Sequence, residues 1–233
     1  MLYIFIGFAF GFAIPYLARR FAKFMPATFA YAIYRILKPN KNVSKQKRKQ
    51  NLTYKKLCLR YFMRSLGWGI VTSAVIFLLS LTAAASETPW LIFLIITLFI
   101  LMEIDKRMFL LPDILTVPLL IIGFLYATFS GYILGFDAAS STLNSALGAF
   151  AGYFIPVLAS LFLIKKYPDA FGGGDIKLLS AVGAWLGVTN IPYIILLSSL
   201  IFAATCFINK QKIGAFGPSI VIATLIILFL NIY

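Results

Sequence analysis

Two aspartates stand where this sequence could do chemistry. Asp175 follows the glycines of Phe171-Gly172-Gly173-Gly174-Asp175-Ile176-Lys177, and Asp105 opens Asp105-Lys106-Arg107-Met108-Phe109-Leu110-Leu111-Pro112-Asp113. Each carboxylate lies where a basic connection meets an apolar run, a place where desolvating an acid is costly and its presence points to function. Two carboxylates brought together cannot both ionise easily. They share a proton, so that one takes a proton from water while the other protonates a scissile carbonyl. The chain has no histidine, which removes imidazole bases and serine–histidine nucleophiles. Its two cysteines, Cys58 and Cys206, are too few for a zinc ribbon. An aspartyl pair is the best hydrolytic machinery among what remains. Ser180, three residues after Lys177 on one helix face, offers a weaker Ser-Lys alternative.

The elements that must position these acids follow from composition. Of 233 residues 61% are hydrophobic and 12% charged, with a mean hydropathy of +0.94. That balance predicts an all-α polytopic membrane protein. Uncharged runs cover 1–18, 65–86, 88–102, 114–136, 138–164, 178–209 and 213–233, against the roughly 20 residues a helix needs to cross a bilayer. The run 178–209 is too long for one span and is interrupted by Gly187-Val188-Thr189-Asn190-Ile191-Pro192, a turn-forming cluster. Two shorter helices, near 176–188 and 191–208, are predicted instead, for about eight transmembrane helices in all.

With the N-terminus outside, the inner connections are 19–66, 103–112, 165–177 and 209–215. They hold 14, 2, 3 and 2 basic residues, all 21 in the chain, as the positive-inside rule requires. The net charge of +14 therefore reads as a topology signal and not as a nucleic-acid surface. Residues 1–18 read as a first transmembrane helix and not a signal peptide, because the positive charges follow the apolar stretch. Residues 19–66 form a basic cytoplasmic or interfacial segment suited to anionic lipid, with substrate docking as the alternative. Residues 67–233 form the membrane domain that carries both aspartates.

The remaining acids read more simply. Glu87 and Asp137 fall in outer connections as solvated charges, and Asp169 after Pro168 reads as a turn residue. Glu103, two residues from Asp105, faces another side of the helix and reads as a surface charge. Asp113 follows Pro112 where a carboxylate favours the positive end of a helix dipole. Asp175 could likewise cap a helix from Ile176. The glycines before it would supply unusual backbone conformations, a hinge or a close approach.

At these residues the chain resembles the type IV prepilin peptidases, which are Gly-x-Gly-Asp intramembrane aspartic proteases. Gly172-Gly173-Gly174-Asp175-Ile176-Lys177-Leu178-Leu179 is similar to the family's Gly-x-Gly-Asp-x-Lys-Leu-Leu element. Asp105 through Pro112-Asp113 is similar to its other element, and Phe216-Gly217-Pro218 to a Phe-Gly-Pro before the last helix. The resemblance implies Asp105 and Asp175 as the catalytic pair, with Gly172, Gly174, Lys177, Pro112 and Asp113 as supporting residues. Lys177 would tune a neighbouring carboxylate, hold the helix start near the site, or anchor topology.

The implied activity is removal of the basic leader from prepilins or pilin-like secretion proteins. It would take place on the cytoplasmic side of a bacterial inner membrane, without metal or cofactor. Prepilin or pseudopilin and membrane lipid are the implied partners, with no nucleic acid. Many relatives carry Cys-x-x-Cys motifs in the first cytoplasmic segment and also N-methylate the new N-terminus. Here that segment holds only Cys58, so the chain resembles a short form. Methylation with S-adenosylmethionine is the implied activity it supports least, with Gly11 and Arg20 placed only loosely against an N-terminal Gly…Arg element. A transporter or channel using boundary acids is the alternative class, though no inverted repeat is visible; an inactive assembly scaffold would keep the same fold.

Overall fold

Apolar chain in a bilayer must satisfy its own backbone hydrogen bonds, which favours helices. The computed structural model describes residues 2–24, 52–130, 137–163, 172–210 and 214–232. The regular structure there is helical: α1 Leu2–Phe24, α2 Leu52–Thr82, α3 Thr88–Met108, α4 Asp113–Phe129, α5 Ala138–Leu163, α6 Gly173–Leu186, α7 Ile191–Asn209 and α8 Gly217–Ile232. Five helices are long and apolar enough to cross a membrane, in α1, α2, α3, α5 and α7; α4 and α8 are apolar but shorter. The protein is an all-helical polytopic membrane protein. Asp169, Phe171 and most of the basic segment lie outside the described residues.

The long run expected to break does so. α6 stops at Leu186, Gly187 adopts φ +78°, and α7 resumes at Ile191 with Pro192 in its first turn. A φ in that region suits glycine, and Pro suits a helix start. Asn144 Oδ1 accepts the Val188 N–H at 2.9 Å and holds the turn.

The expected ends of α2 and α3 need correction. α2 begins at Leu52, before the apolar run, and α3 continues through Glu103, Asp105 and Arg107 to Met108. Charges near a helix end do not stop it. Phe109 does, with φ 54° and ψ 35° and its N–H bonded to the Asp105 carbonyl. Asp105 thus sits in a last helical turn and not in a connecting loop.

The chain divides into two compact units, Met1–Leu78 and Leu79–Tyr233. In the first, α1 lies against the part of α2 that belongs to this unit. Gly7 and Gly11 permit the approach, since a Cβ on Gly11 would lie 2.7 Å from Thr72 Oγ1 and the Trp68 carbonyl.

The second unit is organised around α6, which is buried from Leu178 to Leu186 between α4 and α5. Gly148 and Gly152 of α5 face Gly183 and the Leu179 carbonyl so closely that either Cβ would clash with backbone, a small-xxx-small contact of membrane helices. Ser145 and Ser180 Oγ donate across the same interface to the Ala184 and Ala149 carbonyls, at 2.7 and 2.9 Å. On the other face Trp185 stacks on Tyr126 at 5.1 Å and donates its Nε1–H to the Leu119 carbonyl at 2.8 Å. α3 packs on α8 and α4, and α7 on α8.

Candidate active site

The end of α3 and the starts of α4, α6 and α8 meet at one end of the second unit. Three contacts define the meeting. Gly217, first residue of α8, donates its N–H to Asp105 Oδ2 at 2.9 Å. Gly174 in the first turn of α6 lies against Leu111, where a Cβ would come within 2.9 Å of Leu111 Cβ. Lys177 Nζ donates to both oxygens of Asp113 at 2.7 Å.

Asp105 is 4% exposed. Its carboxylate is oriented by the Phe216-Gly217-Pro218 turn, because an unpaired N–H at a helix start is a ready donor to an anion. Gly217 is required for steric reasons: a Cβ there would stand 2.7 Å from Asp105 Oδ2.

Asp175 lies outside the helices long enough to cross a membrane, in the first turn of α6, whose 14 residues extend only about 21 Å. It is half-buried. Burial first, and then the neighbouring Asp105 carboxylate, push its carboxyl up to about 7; a backbone hydrogen bond from Gly172 acts the other way. The two aspartates are therefore electrostatically coupled although they come from helices 70 residues apart in sequence.

The glycine run works differently from one of the expectations. Gly172 has φ −68° and ψ 139°, a backbone open to any residue, and Gly173 and Gly174 are helical. Left-handed conformation is not their role. Gly174 permits the approach to Leu111, a Cβ on Gly172 would lie 3.0 Å from Asp175 Oδ2, and Gly173 faces open space. Pro112 is the N-cap residue of α4, with φ −73° and ψ 132°, so the chain turns extended just before Asp113.

Among the described residues, Lys177 pairs with Asp113 and not with either Asp105 or Asp175. Ser180 is taken up by Ala149. Two acids expected at the surface are buried. Glu103 is 0% exposed, and its Oε1 accepts from Arg107 Nε and Nη2 at 2.9 and 2.8 Å; a residue one helical turn away neutralises it. Glu87 is 4% exposed at the start of α3, where the helix dipole favours a carboxylate. Asp137 is exposed as expected.

Gly217 was legible in the sequence only as part of a motif; that its N–H reaches Asp105, 112 residues away, had no local signal.

The N-terminal residues set against a methyl-transfer element, Gly11 and Arg20, lie in α1. Gly11 is filled by Thr72 and Trp68, and Arg20 donates to Tyr16 Oη at 2.9 Å in its own helix.

Two carboxyls at the helix ends of a membrane bundle mark a candidate aspartyl site in a polytopic membrane protein. Residues 92–208 match the type IV leader peptidase family, and the chain belongs to that family. It is 31% identical over 186 residues to a prepilin leader peptidase/N-methyltransferase of Vibrio cholerae serotype O1, covering 75% of this chain and 67% of that protein. Proteins of the same description from Aeromonas salmonicida and Neisseria gonorrhoeae are 40% and 34% identical, covering 63% and 59% of this chain. The chain spans about half the length of these two, 52% and 48%. No solved structure matches.

Proposed function

We propose that this chain is a membrane aspartic endopeptidase that removes the leader from type IV prepilins or pilin-like secretion proteins, with Asp105 and Asp175 as its catalytic residues. The observation that carries the reading is the meeting of the α3 end, where the Gly217 N–H orients Asp105, with the α6 start that carries Asp175, through the Gly174–Leu111 and Lys177–Asp113 contacts. The similarity to prepilin leader peptidase/N-methyltransferases supports the substrate class.

The chemistry needs one proton between the two carboxyls. The ionised member takes a proton from a water placed between them, and the oxygen attacks the scissile carbonyl. The protonated member gives its proton to the carbonyl oxygen, forming a neutral gem-diol. Collapse breaks the C–N bond: one gem-diol hydroxyl returns its proton to the aspartate that had donated, and the amine leaves with the proton taken from water. With its carboxyl pushed up to about 7, Asp175 is suited to hold the shared proton near neutral pH. The Gly217 N–H fixes one Asp105 oxygen and leaves the other for water. Proteolysis of this kind needs neither metal nor cofactor. We place the site on the cytoplasmic side of a bacterial inner membrane, as the basic connections around it suggest. The three-part division at residues 18 and 66, with Met1 outside, belongs to the same proposal.

The test is cleavage of a prepilin by the purified full-length chain, with the product N-terminus read by mass spectrometry. A leader-free product made by the wild type and absent with Asp175→Asn supports the reading. Processing by both aspartate variants would sink it. A methyl increment on the product would show that methyl transfer is retained.

A further inference from the structure

We propose that Asp113 and Lys177 form a positioning latch, which fixes the rotation of the first turn of α6 and so aims Asp175 at Asp105. The inference rests on the aspartyl-dyad reading above and adds a residue pair that acts through Asp175.

Lys177 Nζ reaches both Asp113 oxygens at 2.7 Å, joining the fifth residue of α6, just past its first turn, to the first residue of α4 across 64 residues of sequence. The side chains are 45% and 61% exposed, so the pair adds little to global stability. Its effect is local. Residues two apart on a helix are separated by about 200° around its axis, so Lys177 turns outward to Asp113 while Asp175 turns inward. Rotation of the first turn cannot move one without moving the other.

No side chain caps this turn, because its N-cap residue is Gly172. The contact of Gly174 with Leu111 brings the two backbones together next to the pair, so little further ordering is needed to close it. On the α4 side, Asp113 is separated from the last helical residue of α3, Met108, by only four residues. The latch therefore ties the segment that carries Asp175 to the segment that carries Asp105.

The test uses the full chain with Asp113→Lys, Lys177→Asp, the double exchange and Asp113→Asn. Two readouts are taken: kcat and KM for a prepilin, and amide exchange at Asp175 and Ile176, whose N–H groups bond to the Gly172 carbonyl at 3.0 and 3.3 Å. Each single reversal is expected to lower kcat by about 10- to 100-fold with KM within about twofold, as displacement of a reacting group does. It should also speed exchange at the two amides. The double exchange should recover kcat to within about fivefold of wild type and restore protection, and Asp113→Asn, which keeps an acceptor oxygen, should cost less than about fivefold.

A double exchange as impaired as the singles overturns the latch, as do single reversals that leave exchange unchanged. If the wild type cleaves no prepilin, the proposed function fails while the exchange measurements still decide whether the latch exists.

Discussion

Asp105 and Asp175 reach the same site from opposite structural situations. Asp105 ends a 21-residue helix, is almost wholly buried, and is held by a backbone donor. Asp175 begins a 14-residue helix, is half-buried, and lies in a turn with no side-chain cap. One carboxylate is preorganised by packing before any substrate arrives. The other depends on how the start of a short helix docks. The far end of that helix is secured by Trp185 and the α5 glycines, so the freedom left in α6 is concentrated at the turn that carries Asp175. Functional turns are commonly drawn from the less stable parts of a fold.

The strongest way to break the comparison is to remove either acid. Asp105→Asn and Asp175→Asn should each lower prepilin cleavage by about 10³-fold or more while the protein still inserts, since neither carboxyl can serve in both roles. A variant retaining full turnover in the purified assay would remove its residue from the dyad.

Next in size is Gly217→Ala, whose Cβ would stand 2.7 Å from Asp105 Oδ2. It should cost about 10- to 100-fold in kcat with a small change in KM. Wild-type kcat would show that the Gly217 contact does not set the Asp105 geometry.

A pH profile sharpens the contrast from the Asp175 side. Its carboxyl is raised to about 7, so as pH rises through that value both acids become charged and the proton donor is lost. kcat/KM, which reports the free enzyme, should therefore fall above about 7, approaching tenfold per pH unit. A profile flat to pH 9 would contradict this.

The smallest effect separates two glycines. Gly174→Ala meets Leu111 and should weaken both thermal stability and cleavage by a measurable margin, on the order of 1–3 kcal/mol in stability. Gly173→Ala meets nothing within 4 Å and should leave both near wild type. Equal effects at the two positions would favour a hinge over a close approach.

Much was readable in the chain itself. The helical membrane class follows from apolar run lengths, and the break at Gly187 follows from a turn cluster inside a run too long for one span. These are local properties, set by backbone preference and transfer energy. Asp105 and Asp175 stand out because an acid beside an apolar run is costly, and only the resemblance to the prepilin peptidases ranks Asp105 above Asp113. What stayed hidden were relations between distant segments and the burial of acids neutralised in place. Glu103 resembled a surface charge because a sequence does not show which helix face is covered; packing buried it with Arg107.

The sequence alone determined the membrane class and singled out the acids proposed for chemistry, because each depends on residue type and short-range spacing, while it left the role of the glycine run open. Only the tertiary structure decided that Gly217 orients Asp105, that Lys177 pairs with Asp113, and that Asp175 feels Asp105. Those relations join residues 112, 64 and 70 positions apart, and they depend on how helices pack, which local spacing does not specify.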